Sequence, residues 1–344
     1  MGRKIGVWLG LLITGVWLGQ KFIPYLGFFP YKEELHRLPP AVLQPLGNFD
    51  GIHYLLIARQ GYQQYEQAFF PLYPNLIKVM GNLPLVNGVL ISVISFILGL
   101  FIWQKYFQKI GLPADKILWF WILFPTAFFF STVYPESLFF LLMGLTLWLT
   151  AEKKWLLAIL TGFLAAQTKL IGLALVIPIF WQNRKQWWIG LGPVAGFLSY
   201  CLYLWRTVGD PLAFYHAQPM FGANRATRLI FLPQVIWRYL KIFALAGHDF
   251  KYFIAILELV TLIGCLYLLC RKIVWRYWGL ALFSLIVIIL PTLTGTLSSL
   301  PRYALLAPAI FISLADRNNL WTRIVFGFLF AVLTAFFTQG YFVS

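Results

Sequence analysis

Leu83 to Trp103 reads LPLVNGVLISVISFILGLFIW, a run without a single charged residue. At about 1.5 Å of rise per residue, a helix of that length spans the roughly 30 Å of a bilayer's hydrocarbon core. Runs of the same kind recur on both sides of it. The spans read from hydropathy are 5–26, 83–103, 117–131, 137–150, 155–166, 170–182, 187–205, 251–270, 277–294, 302–315 and 320–338. The expected fold is therefore an all-α polytopic membrane protein of about eleven spans, because the bilayer leaves a spanning segment only itself as hydrogen-bond partner. No repeat at a fixed period and no low-complexity tract divides the chain, so 1–344 reads as one domain.

Composition agrees. Hydrophobic residues make up 60% of the chain and charged residues 11%, against roughly 45–50% and 25% in soluble domains. The formal charge of +16 comes from 27 basic and 11 acidic residues. The bases are scattered at helix ends instead of forming a stripe, which argues against a nucleic-acid partner. Cys201, Cys265 and Cys270 all lie inside apolar runs and form no CxxC or Cys/His cluster; they read as small hydrophobes. Arg3 and Lys4 precede the apolar run Ile5 to Gly19 without a small-x-small cleavage site, so the first span is expected to be retained.

Orientation follows from the basic residues of the short loops. With a cytoplasmic N-terminus, the inner side holds Arg3/Lys4, Lys105/Lys109/Lys116, Lys153/Lys154, Arg184/Lys185, Arg271/Lys272/Arg276 and Arg317/Arg323. The outer side then receives the long segments 27–82 and 206–250 and the short turns around Val133 to Glu136 and Thr294 to Pro301, and it collects Glu33, Glu34, Asp50, Glu66, Glu136, Asp210, Asp249 and Glu258. Any chemistry is expected to face outward, at the plasma membrane if the chain is prokaryotic. Runs 155–166 and 170–182 are short for a flat bilayer: either they are tilted and extended, or Gln167 to Lys169 forms a break facing protein or water.

The segment richest in chemistry is NFDGIHYLLIARQGY, Asn48 to Tyr62, followed by AFFPLYPNLI, Ala68 to Ile77. A helix beginning near Asp50 places Asp50 and His53 on one face, with Asp50 at its N-terminal end. On residue types alone, Asp50 reads equally as a helix cap and His53 as a loop residue. The aromatic, Pro-stiffened stretch Phe69 to Pro74 suits a membrane interface. Most of the aromatics, 19% of the chain with 15 Trp, belong to core and interface, and no sugar platform among them can be singled out.

In this order, FDGIHYLLIARQGY and AFFPLYP resemble the first outer loop of the PIG-V-type mannosyltransferases. FFFSTVYPESLFFLL (Phe128 to Leu142) is similar to that family's Tyr-x-Glu-[Ser/Ala] turn, AAQTKLIG (Ala165 to Gly172) to its Thr-Arg-x-x-Gly segment, and SSLPRYALLAPAI (Ser298 to Ile310) to its late Arg-Tyr turn. Two positions depart from the pattern. Lys169 stands where arginine is usual, keeping the charge but losing the bidentate fork, and Phe49 stands where tryptophan is usual.

The resemblance implies a GT-C-like bundle with a helical first outer loop and an inverting transfer of sugar, mannose by the resemblance, from a polyprenyl- or dolichyl-phosphate donor to a glycolipid or glycan acceptor. Asp50 is the expected base for the acceptor hydroxyl. Lys169, Arg302, Arg225 and Arg228 are available to the departing lipid phosphate. His53 is expected to bond substrate or phosphate or to orient Asp50, with a structural hydrogen bond as the alternative. Glu136 is either a functional boundary acid or a favourable charge at a helix N-terminus. Arg302 has snorkelling as its alternative, and Arg225 and Arg228 simple exposure. No DxD, GxxxxGK[ST] or HExxH occurs; neither a metal nor a cofactor is expected. The competing reading is a transporter or flippase of lipid-linked saccharides, which would need charges lining a path at mid-depth, whereas the spans hold almost none apart from Lys169 and Glu258. An inactive family member serving as an assembly subunit is the third reading, and retention of Asp50 argues against it.

Overall fold

The computed structural model describes residues 1–26, 31–221 and 225–343. Among them the regular structure is entirely helical. Five helices are long and apolar enough to cross a membrane: Gly2–Phe22, Pro84–Lys109, Arg184–Val208, Phe250–Leu269 and Leu320–Thr338. Shorter apolar helices cover Glu136–Ala151, Trp155–Thr168, Leu170–Gln182 and Trp278–Thr292. Faces turned away from the core carry Leu98, Leu156, Leu160, Leu198 and Val260 exposed. Apolar side chains on the outside of so many helices identify lipid as the solvent.

The helices pack in sequence-local pairs closed by the two ends of the chain. Pro84–Lys109 lies along Glu136–Ala151, which packs on Trp155–Thr168, which packs on Leu191–Val208; Gly2–Phe22 lies against Leu320–Thr338. Small residues set these contacts, as expected where no hydrophobic force distinguishes helix from lipid. A Cβ on Gly192 or Gly196 would lie 2.3 Å from the carbonyl oxygen of Ile159 or Phe163. Gly15 and Gly19 play the same part against the last helix, where a Cβ would come 2.6 Å from Thr334 and 2.7 Å from Ala335.

Two runs read as single spans are broken helices. The run 117–131 is the helix Ala114–Leu123 followed by a 3₁₀ turn, Ala127–Ser131. Pro125 forces Phe124 into an extended conformation (ψ 139°) and stops the helix there. The run 302–315 is Leu300–Ala304 and then Pro308–Arg317, because Pro308 has no N–H for the Ala304 carbonyl. The polar groups freed by the second break are taken up by side chains. The Leu305 carbonyl accepts from the Trp121 indole at 2.7 Å, and the Ala309 N–H donates to Ser284 Oγ at 3.0 Å. Of the two alternatives at Gln167–Lys169 the chain adopts the break: the helix ends at Thr168, Lys169 is extended (φ −154°), and a 3₁₀ segment, Leu170–Leu175, follows. The chain returns so tightly that a Cβ on Gly172 would sit 2.6 Å from Ala165 and Ala166 backbone.

Candidate functional site

Asp50 is the first residue of the helix Asp50–Gln60, and the preceding Phe49 holds φ 58° and ψ −120°. A positive φ is costly for a residue with a Cβ, and such strain gathers where a chain must aim a group. The turn is braced from a distant loop: the Tyr134 hydroxyl donates to the Asn48 carbonyl at 2.9 Å and accepts from the Asp50 N–H at 3.1 Å. The Asn48 amide donates to the Phe337 carbonyl at 2.9 Å, tying the turn to the last helix. Asp50 is not the helix cap, a position held by Phe49; its carboxylate faces a cation instead.

That cation is Arg302. Its Nη1 donates to Asp50 Oδ2 at 2.8 Å, and its Nε lies 3.4 Å from Glu136 Oε1. The guanidinium also stands 5.0 Å from the Tyr134 ring centre, a favourable place for a cation. Arg302 sits in the short helix Leu300–Ala304, which starts after Ser299 at φ 69°. So both members of the ion pair lie in first helical turns launched by non-glycine residues with positive φ.

Lys169 completes the cluster. Its Nζ donates to Glu136 Oε1 at 2.6 Å and lies 4.8 Å from the Tyr303 ring centre. Gln167, two residues earlier, fixes this helix end by donating to the Gly196 carbonyl at 2.6 Å. Glu136 opens the helix Glu136–Ala151 behind Pro135, and its side chain is 1% exposed. Its Oε2 is buried with no hydrogen-bond partner. Four charges thus form one chain, Lys169–Glu136–Arg302–Asp50, with no net charge.

Burial alone would raise the Asp50 carboxyl. The charge and hydrogen bond of Arg302, joined by Arg225 and His53, outweigh it and hold Asp50 below its ordinary value. Asp50 is ionised at neutral pH and 30% exposed, open to a reacting group.

Two clefts meet at this point, sharing Asp50, Phe221, Arg225 and Ser298. The narrower, about 200 Å³, combines Lys169, Arg225, Arg302 and Glu136 with apolar walls that include Phe214, Leu229, Leu290 and Leu293. The wider, about 950 Å³, is lined by Tyr31, His53, Gln60, Gln63 and Glu66 among others. Arg225 donates to Gln218 Oε1 at 3.3 Å and makes no ion pair among the described residues, whereas Lys169 and Arg302 each engage carboxylates.

Of the residues singled out from sequence, Asp50, Glu136, Lys169 and Arg302 come together and Arg225 lies on both clefts. His53 opens on the wider cleft, stacked on Phe69 at 4.9 Å between centroids, with Nδ1 3.5 Å from Glu66 Oε1; it bonds Glu66 and not Asp50. Arg228 is exposed and lines neither cleft. Glu66 and Tyr134 escaped the sequence reading as site residues. Glu66 was visible as an acid in the same outer segment as His53, and Tyr134 as the neighbour of Pro135 and Glu136.

Comparison with known proteins yields no match to this chain among family models, curated proteins or solved structures.

Proposed function

We propose that this chain is an inverting glycosyltransferase of GT-C-like architecture with about eleven membrane crossings, taking a hexose, mannose by the PIG-V-type resemblance, from a polyprenyl-phosphate donor. The reading places the N-terminus in the cytoplasm and the Asp50 cluster on the outer face. One observation carries it: an ionised, partly exposed carboxylate, Asp50, stands where an apolar cleft bearing cations joins a wider polar one.

In the proposed reaction, the acceptor hydroxyl oxygen attacks the anomeric carbon from the face opposite the phosphate. Its proton passes to an Asp50 oxygen, while the bond from the anomeric carbon to the phosphate oxygen breaks and its electron pair leaves on the lipid phosphate. The phosphate gains negative charge as it departs. Arg225, which pairs with no carboxylate among the described residues, is the first cation available to it, with Lys169 and Arg302 behind in the same cleft. The apolar walls suit the first isoprene units of the lipid.

The test is transfer by the purified chain in lipid nanodiscs, supplied with radiolabelled polyprenyl-phosphate mannose and extracted membrane glycolipids. A labelled product is expected, and Asp50→Asn should form it at least about a hundredfold more slowly, since a positioned general base contributes roughly 10²–10⁴-fold. Near-normal transfer by a well-folded Asp50→Asn protein would remove the base assignment. Absence of transfer from any polyprenyl-phosphate hexose would remove the function.

A further inference from the structure

We infer that the wider cleft is a binding site for a polyhydroxylated, sugar-like acceptor that carries no negative charge and is presented from the water side, with Glu66 as its principal hydrogen-bond acceptor. The inference rests on the transferase reading for the word acceptor; the site and its ligand chemistry rest on the cleft itself.

The two clefts that meet at Asp50 are built differently. The narrower has three cations on its lining, Lys169, Arg225 and Arg302. The wider has one arginine among its described lining residues, Arg225, at the shared boundary. An anionic group therefore finds its partners on the narrow side. On the wide side it would meet the carboxylates of Glu34, Asp50 and Glu66. Glu34 is paired with Arg37 at 2.8 Å and Asp50 with Arg302 at 2.8 Å, so the cleft is close to neutral yet has no spare cation beyond the boundary among the described residues.

What the wide cleft offers matches a sugar. Gln60, Gln63 and Gln64 are exposed amides, each with donors and an acceptor. Tyr31 and Tyr65, 55% and 41% exposed, line the same cleft; aromatic rings are the kind of apolar platform on which the C–H face of a pyranose packs. Glu66 is 6% exposed, and a buried carboxylate needs fixed partners. It has two: the Gln63 N–H donates to Oε2 at 2.9 Å, and His53 Nδ1 lies 3.5 Å from Oε1. His53 in turn is boxed by Phe69, Tyr31 and Phe221, with centroids at 4.9, 5.0 and 5.5 Å. Each Glu66 oxygen keeps lone pairs beyond those two contacts. A clamped carboxylate with spare acceptor capacity, sharing with three amides the lining of a cavity of about 950 Å³, is a receptor for hydroxyl groups, and the volume admits more than one ring. The same chemistry rejects a carboxylated sugar by like charge.

The test is binding, independent of transfer, measured by saturation-transfer NMR on the full chain in nanodiscs. The probes are methyl α-mannoside and methyl α-mannosiduronate, which differ only in a hydroxymethyl or carboxylate group at C6. Saturable binding of the neutral glycoside is expected, with the uronate at least about tenfold weaker. Glu66→Gln should weaken the neutral probe at least about tenfold, as loss of a charge-assisted hydrogen bond does. Gln60→Ala, at an exposed position where folding is not at stake, should weaken it about threefold or more. Binding of polyprenyl monophosphate to both variants should be unchanged, because its cations line the other cleft. Equal binding of the two glycosides, no binding of either, or wild-type affinity in both variants would overturn the inference. Polyprenyl-phosphate binding and sugar transfer would still stand or fall separately, so failure here is distinguishable from failure of the transferase reading.

Discussion

Arg302 Nη1 donates to Asp50 Oδ2 at 2.8 Å across 252 residues of sequence. The same guanidinium lies 3.4 Å from Glu136, so one arginine links the first and second loop segments of the site. In the proposed reaction Arg302 has two claims on it, from the base and from the leaving phosphate. A phosphate that draws Arg302 away would leave Asp50 a stronger base at the moment a proton must be taken, since the pairing is what lowers its pKa.

The pH dependence follows with a definite sign. Burial raises the Asp50 carboxyl, and Arg302, joined by Arg225 and His53, lowers it further than burial raises it, so the acid limb of kcat/KM should fall below the ordinary carboxylate range. Arg302→Gln keeps the burial and removes the main opposing charge; its acid limb should move to higher pH. The pair's contribution to stability is present above the ordinary carboxylate pKa and is lost as pH falls through the depressed one. Measured pH–rate profiles of the two proteins check this, and coincident acid limbs would separate Asp50 from the rate.

Glu136 should matter to folding as much as to activity. Its side chain is 1% exposed and accepts from Lys169 at 2.6 Å, and breaking a buried pair on one side typically costs about 3–5 kcal/mol. Glu136→Leu should lower the unfolding midpoint in detergent markedly, leaving Lys169 without its carboxylate. Adding Lys169→Met should recover part of the loss, a coupling of about 1 kcal/mol or more in a double-mutant cycle. Additive effects would mean the two side chains do not depend on one another.

The seam behind Lys169 gives a packing prediction. A Cβ at Gly196 would stand 2.3 Å from the Phe163 carbonyl, so Gly196→Val must push Leu191–Val208 away from Trp155–Thr168, the helix that holds Gln167 and leads into Lys169. Destabilisation of about 1–3 kcal/mol is expected from the overpacking, with a raised KM for the proposed lipid donor. Gly264, where a Cβ meets nothing within 4 Å, is the control: Gly264→Ala should leave stability within about 1 kcal/mol of the parent or raise it.

Topology can be measured directly. Gln64 is exposed at the mouth of the wider cleft, and the proposed orientation, drawn from the basic short loops, puts that mouth outside. A cysteine replacing Gln64, in a chain with Cys201, Cys265 and Cys270 changed to serine, should react with a membrane-impermeant maleimide in intact cells. Labelling only after the inner face is opened would invert the orientation and the mechanism with it.

Hydropathy alone located the apolar helices because the cost of burying charge in lipid is paid residue by residue, along the sequence: Gly2–Phe22, Pro84–Lys109, Phe250–Leu269 and Leu320–Thr338 start and stop within a few residues of the runs read from composition, apart from the longer C-terminal end of Pro84–Lys109. The stop at Gln167–Lys169 was legible as one of two alternatives, because the runs on either side are too short to cross a flat bilayer alone. Pro125 and Pro308 were in plain view, yet whether a proline kinks a helix or ends it depends on who takes the freed polar groups; at Pro308 the Trp121 indole donates to the Leu305 carbonyl and Ser284 Oγ accepts from the Ala309 N–H, both from other helices. Asp50, Glu136, Lys169 and Arg302 were each legible as unusual charges in an apolar chain. Their pairing was not, because an electrostatic partner is chosen by distance in space, and Asp50 meets Arg302 only after the first loop, the Tyr134 turn and the Ser299 turn have folded together. His53 shows the limit most sharply. Helical periodicity put it on the face of Asp50, and the packing of Phe69, Tyr31 and Phe221 gave it to Glu66, since side-chain direction in a crowded aromatic box is decided by neighbours that the local sequence does not contain.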